Sequence, residues 1–264
     1  MPSRNLVRRP ARAVAVWLAA ALALSACGST PSSSSSDAEA GQEVMVFAAA
    51  SLSDPFSNVA AEFEAAHPGT TVRLNFAGSA DLASQIQSGA PADVFASADE
   101  ANMEKITGDG LAGSDPAPFA VNTLTIAVPP GNPAGITGFA DLSDPARQVV
   151  MCAEQVPCGA AAAKIQAATG TKIAPVSEET SVTGVLGKVA SGEADAGLVY
   201  VTDVLAAAGS VEEVAFPEAS GAVNTYPIVR ILQARQPELA NEFIRFVHSS
   251  AGQDILRKAG FGAP

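Results

Sequence analysis

The sequence predicts an α/β protein of two lobes, each a mostly parallel sheet flanked by helices, with a cleft between them. Three observations lead there. From Glu43 onward, short apolar strand-like runs alternate with helical runs across short turns, the pattern of βα units. The stretch Gln87-Ser88-Gly89-Ala90-Pro91-Ala92-Asp93-Val94-Phe95-Ala96 is echoed by Ala190-Ser191-Gly192-Glu193-Ala194-Asp195-Ala196-Gly197-Leu198-Val199-Tyr200. In both, a helix ends at Ser-Gly and Ala-Asp leads into an apolar strand. Finally, a body of roughly 220 residues suits two similar lobes better than one large core.

The chain opens on a leader. Arg4, Arg8, Arg9 and Arg12 form a basic start free of acidic residues, and an apolar run follows over residues 13–26. That run is shorter than the ~20 residues needed to cross a bilayer and has the small-residue exit of a secretory signal. Its end, Leu24-Ser25-Ala26-Cys27, resembles the lipobox of bacterial lipoproteins. The resemblance implies removal of residues 1–26 and a lipid on Cys27, which anchors the chain outside the cytoplasm on the cell membrane. Residues 27–42 include five consecutive serines, Ser32 to Ser36. So polar a segment cannot bury enough surface to offset its ordering entropy and reads as a tether.

The body is expected to divide into a discontinuous first lobe, residues 43–122 plus 227–264, and a continuous second lobe, residues 123–226. Residues 44–47 form an apolar strand. Residues 54–67 carry Phe56, Val59, Ala60 and Phe63 at helical spacing and stop at Pro68-Gly69. Residues 71–76 alternate as a strand, 80–87 form a helix and 94–96 another strand. Residues 123–128 and 226–229 are strand-like links between the lobes, with a hinge at that point. Helices over 237–247 and 252–259 then fold back on the first lobe.

Charge and cysteine content narrow the function. The leader holds four of the 15 Lys and Arg and none of the 27 Asp and Glu, so its removal takes the net charge from −12 to −16. Nucleic acid rewards basic surfaces and is excluded as a partner. Cys152 and Cys158, with five residues between them, predict a disulfide in an exported chain. A metal site there would need further soft or imidazole ligands, and the two histidines, His67 and His248, lie in ordinary helical patterns. Neither Ser51 nor Ser79 sits in a nucleophile-elbow pattern. No enzyme activity, resident cofactor or metal is expected, and the chain is expected to act as a monomer.

Four places share one design, in which a strand ends, small or hydroxyl residues follow, and a helix starts. They are Ala48-Ala49-Ala50-Ser51, Ala77-Gly78-Ser79-Ala80, Val156-Pro157-Cys158-Gly159 and Thr180-Ser181-Val182-Thr183. A helix start offers unpaired N–H groups and about half a positive charge, which suits an anion. Read singly, Ser51 and Ser79 are ordinary N-caps. Read together, four such turns at strand-to-helix junctions lie on the edge where open α/β sheets bind ligands.

Here a family resemblance appears. Val46-Phe47-Ala48-Ala49-Ala50-Ser51-Leu52, Phe76-Ala77-Gly78-Ser79, Gly89-Ala90-Pro91-Ala92-Asp93-Val94-Phe95-Ala96-Ser97-Ala98-Asp99 and Gly197-Leu198-Val199-Tyr200 resemble the molybdate-binding proteins of ABC importers. The likeness runs from about Glu43 to Phe261, with the motifs in the family's order. It implies the type II periplasmic-binding-protein fold, with molybdate or tungstate held as an oxyanion between the lobes. It also implies a permease and its ATPase as partners. Carried over by motif, Ser51 and Ser79 match the family's two serines and Tyr200 its tyrosine. Cys158, where the family commonly has alanine, and Val182 match backbone donors; a Cys152–Cys158 disulfide would brace the first of these loops. The alternative is a binding protein for another tetrahedral oxyanion, such as sulfate.

Overall fold

The computed structural model describes residues 42–264. The leader, Cys27 and most of the tether lie outside the described residues. The first lobe begins β1 (Gln42–Ala49), α1 (Ser53–Ala66), β2 (Thr70–Ala77), α2 (Ser79–Gln87), β3 (Val94–Ala96), α3 (Glu100–Gly108) and β4 (Ala117–Asn122). The second lobe follows with β5 (Leu124–Val128), β6 (Val149–Cys152), α4 (Pro157–Thr169), β7 (Ser177–Glu179), α5 (Val182–Ala190), β8 (Ala196–Tyr200), α6 (Val201–Ala206) and β9 (Glu212–Val214). The chain then returns through β10 (Asn224–Arg230), α7 (Pro237–His248) and α8 (Ser250–Lys258).

Each lobe holds one five-stranded sheet, in the orders β2-β1-β3-β10-β4 and β7-β6-β8-β5-β9. Both sheets are mixed. β1 runs parallel to β2 and β3, and β6 runs parallel to β7 and β8. The strands that carry the chain between lobes, β10 and β5, are antiparallel to their neighbours. The parallel halves are βα units, and their strand ends carry all four small-residue turns. Gln42 already belongs to β1, and Tyr226, which the sequence reading gave to the second lobe, lies inside β10 in the first sheet. A single strand cannot be cut between two sheets, so the return crossing falls between Val214 and Asn224.

The lobes have separate cores. In the first, Phe56, Val59, Ala60 and Phe63 of α1 are buried on one helix face and meet Phe119, Tyr226 and Phe243. Phe63 and Phe243 pack edge to face with ring centroids 5.4 Å apart. Each fully buried phenylalanine of this kind contributes about 1.5–3 kcal/mol. α1 stops where Gly69 turns at φ 87°, a conformation open to glycine at no steric cost. The second core gathers Leu124, Ile126, Val150, Val185 and Leu198 around β5, β6 and β8. At the crossing, Asn122 Nδ2 donates to Thr202 Oγ1 at 2.8 Å, and Val201 N–H donates to Thr123 C=O. Among the described residues no helix is long and apolar enough to cross a membrane.

Candidate functional site

The helix starts of both lobes converge on one small cavity. Ser51, Ser79, Cys158, Val182 and Tyr200, drawn from five separate strand-to-helix turns, all border it. Ala49, Ala50, Gly78 and Ala98 complete the first-lobe side, and Val156 and Pro157 the second. Small side chains let backbone come close to whatever sits inside. No charged residue lines the cavity.

Neither serine caps its helix. Ser79 is the first residue of α2, behind Gly78 at the cap. Its hydroxyl oxygen accepts the Ala98 N–H at 3.0 Å, which leaves its own proton free to donate. Ser51 lies in a short 3-10 turn ahead of α1, and its Oγ is 3.0 Å from Tyr226 Oη. When Tyr226 donates, the Ser51 proton is likewise free. True capping occurs at Ser181, which accepts the Gly184 N–H and leaves the earlier N–H groups of α5 to other acceptors.

On the second lobe, Val182 opens α5, and Cys158 is the second residue of α4 behind Pro157. Proline at a helix start removes no needed donor. Cys158 is joined to Cys152 at the end of β6, so strand end and helix start are tied across the loop. Gly159 packs directly on that loop, where a Cβ would collide with the Ala153 and Cys152 carbonyls. Tyr200, the last residue of β8, is 1% exposed, and its hydroxyl has no hydrogen-bond partner.

The chain's two tyrosines meet here, with ring centroids 6.0 Å apart. Burial raises the Tyr200 hydroxyl well above its ordinary value, and Tyr226 and Asp203 nearby add to this. Both rings therefore stay protonated, as donors require. Nearby carboxylates are managed. Asp81 is exposed. Glu179 is engaged by Lys188 and Ser177, which hold its carboxyl below the usual range. Asp203 accepts the Tyr200 N–H at 2.8 Å, and burial pushes its carboxyl up to about 7.

Sequence reasoning missed Tyr226, Asp203 and the Ala98 N–H. The first two each had a faint signal: the one other tyrosine of the chain, set in an apolar strand, and a carboxylate three residues after Tyr200. His67 and His248 lie away from the cavity. His67 is half-buried, stacked on Phe63, with Nδ1 2.8 Å from the Phe63 carbonyl oxygen. Among the described residues no group of three or more His, Cys, Asp or Glu could hold a metal ion.

Two α/β lobes that turn uncharged donors onto a shared cavity have the arrangement of a solute-binding protein. The chain belongs to the bacterial extracellular solute-binding proteins, whose family model matches residues 44–262. It is 49% identical over 243 residues to the molybdate-binding protein ModA of Mycobacterium tuberculosis, covering 91% of this chain and 93% of the relative. The ModA protein of Haemophilus influenzae is 31% identical, over 85% of this chain and 91% of that one. Among solved structures, the periplasmic molybdate-binding protein of Azotobacter vinelandii aligns with a TM-score of 0.70 at 23% identity, covering 84% and 99% of the two chains. The sulfate-binding protein SubI of M. tuberculosis aligns with a TM-score of 0.73 at 19% identity, covering 83% and 86%. At these identities the structural likenesses speak for the fold.

Proposed function

We propose that the protein captures molybdate, and tungstate in the same way, and delivers it to an ABC importer. One observation carries the reading: the cavity is lined by uncharged donors, and one of them, the Tyr200 hydroxyl, is buried with no partner inside the protein. Molybdate is fully deprotonated near neutral pH and only accepts hydrogen bonds. Ser51, Ser79 and Tyr200 offer hydroxyls, and Cys158 and Val182 offer helix-start N–H groups. Hydrogen bonds to charged groups are worth about 1.5–3 kcal/mol each, so such a set supports micromolar or tighter binding, about −8 kcal/mol or better, after the costs of closure. Phosphate usually carries a proton at this pH, and no carboxylate lines the cavity to accept it. The 49% identical ModA relatives support molybdate over other oxyanions.

The protein binds without turnover and needs no resident cofactor. A lipid on Cys27 holds it, as a monomer, at the outer face of the membrane, where the loaded form meets a permease driven by an ATPase. Titration calorimetry of the processed chain with molybdate, tungstate, sulfate and phosphate tests the central reading. Tight heats with the first two are expected. A preference for sulfate overturns molybdate as the ligand, and no heat with any of the four overturns oxyanion capture.

A further inference from the structure

Gly78 stands at the cap of α2, and its backbone does not require glycine. At φ −59° and ψ 140° any residue fits. What the position requires is room. A Cβ built there would fall inside 3.0 Å of the Thr180 carbonyl oxygen, closer than real Cβ atoms come. It would also lie 3.2 Å from the Thr180 carbonyl carbon and 3.8 Å from Ser181 Cα. Thr180 belongs to the other lobe, in the turn that opens α5. Two backbones, one from each lobe, therefore meet with no side chain between them. The meeting lies beside Ser79 on one side and Val182 on the other, both of which border the cavity. Gly260 makes a useful contrast. Its φ of 94° demands glycine for conformational reasons, and its nearest cross-lobe neighbour is the flexible end of Leu205. A backbone carbonyl cannot swing aside as a leucine methyl can.

We propose that Gly78 is the closure stop of this protein. Its missing Cβ lets the lobes approach until the Gly78 and Thr180 backbones touch, and that contact sets the size of anion the cavity grips. The identity of the anion rests on the function proposed above; the stop itself does not. An alanine Cβ needs an ordinary contact of 3.4–4 Å, so the lobes must part by roughly 1 Å or more at this point. Hydrogen bonds work between about 2.7 and 3.2 Å and fade quickly beyond. The second-lobe donors, Cys158 N–H, Val182 N–H and the Tyr200 hydroxyl, would then lose an anion still held by Ser51 and Ser79. Sulfate, the smaller tetrahedron, spans a widened gap less well than molybdate and suffers more.

The test uses the processed chain, with Gly78→Ala and Gly78→Val beside wild type, in calorimetry and solution X-ray scattering. Both variants should fold with an unliganded melting temperature close to wild type, because a side chain at this φ and ψ narrows the unfolded ensemble while alanine or valine makes a poorer helix cap than glycine. Gly78→Ala should bind molybdate at least about 100-fold more weakly, as the three second-lobe bonds to a charged acceptor lengthen. It should also keep a larger radius of gyration at saturation, and Gly78→Val should exceed it in both respects. Wild-type affinity with wild-type compaction in both variants overturns the stop. So does weakened binding with unchanged compaction, because Gly78 would then act through α2 and not through closure. Should wild type bind none of the four oxyanions, the functional reading fails and the stop is judged on unliganded protein: a smaller wild-type radius supports it, and equal radii overturn it.

Discussion

Tyr200→Phe separates a binding role from a structural one by the sign of two effects. The Tyr200 hydroxyl is buried and makes no hydrogen bond within the protein, so with the lobes together and no ligand in place it would be a desolvated polar group without return. Leaving such a group unsatisfied costs about 1–3 kcal/mol. Phenylalanine keeps the ring and its contact with Tyr226 and removes that cost. Unliganded Tyr200→Phe should therefore be more stable than wild type by about 1 kcal/mol, or roughly 2–4 °C for a body of this size. Affinity should move the other way. Burial holds the hydroxyl well above its ordinary pKa, so it remains a donor at and above neutral pH. Losing one bond to a charged acceptor weakens molybdate binding by about 10- to 150-fold. Urea unfolding gives the first quantity and calorimetry the second. Because ligand stabilisation grows as RT ln(1 + [L]/Kd), the melting order of the two proteins should invert once molybdate is saturating. A variant that is destabilised without ligand and binds normally would refute the reasoning, since the hydroxyl would then serve the fold.

Three further outcomes are expected. Ser79→Ala removes a donor from the cavity and also strands the buried Ala98 N–H, so it should lower affinity by about 1.5–3 kcal/mol and stability by about 1–3 kcal/mol, read by calorimetry and urea unfolding. Replacing Cys152 and Cys158 together by serine opens the Cys152–Cys158 crosslink and should cost about 2 kcal/mol of stability on the loop-entropy model, together with affinity, because the loop that presents Cys158 N–H loosens; chemical denaturation shows the first and titration the second. Asp203→Asn should flatten the pH dependence of stability. Burial raises the Asp203 carboxyl from 3.8 to about 7, so between those values the folded state holds a proton that the unfolded state has released. Its contribution is full below the lower value, falls as pH rises through the window, and is level above about 7. The stability of wild type relative to Asp203→Asn should fall by about 2–3 kcal/mol between pH 5 and pH 8, and a constant difference in urea unfolding across that range would rule the ionisation out.

The sequence made the body legible because its apolar periodicities are strong and its turns short. The α1 face of Phe56, Val59, Ala60 and Phe63 is set by helical spacing alone, and β3 occupies Val94–Ala96 as its apolar run demands. The site was half legible for a similar reason: a small residue or hydroxyl at a strand-to-helix turn is a local signal. Taken singly, Ser51 and Ser79 look like helix caps, but Leu52 and Gly78 hold those positions and both serines make tertiary contacts. Ser51 faces a tyrosine 175 residues away in sequence, and Ser79 takes up an N–H from the turn after β3. No local pattern encodes either contact. Asp203 reads as an ordinary acidic residue in a helix's first turn; only the packing around β8 and α6 reveals that it is buried.

An acidic body and an anion site do not conflict once charge and hydrogen bonding are kept apart. The surface charge acts at long range and is screened within about 8–10 Å at physiological salt, so it slows encounter and does little inside a closed cavity. Under the proposed function, affinity within the cavity comes from oriented dipoles, namely helix starts and hydroxyls, and these need no counter-charge. The same design also limits what fold can decide. Proteins described as molybdate-binding and sulfate-binding both share this architecture, and uncharged donors serve either dianion. Discrimination must then come from dimension, that is, from how far apart two rigid sets of donors are held. In this chain that distance is governed where a side chain is absent, at Gly78. A single methyl group added there, as in Gly78→Ala, should therefore alter selectivity among oxyanions more than the removal of any one hydroxyl, which weakens all of them alike.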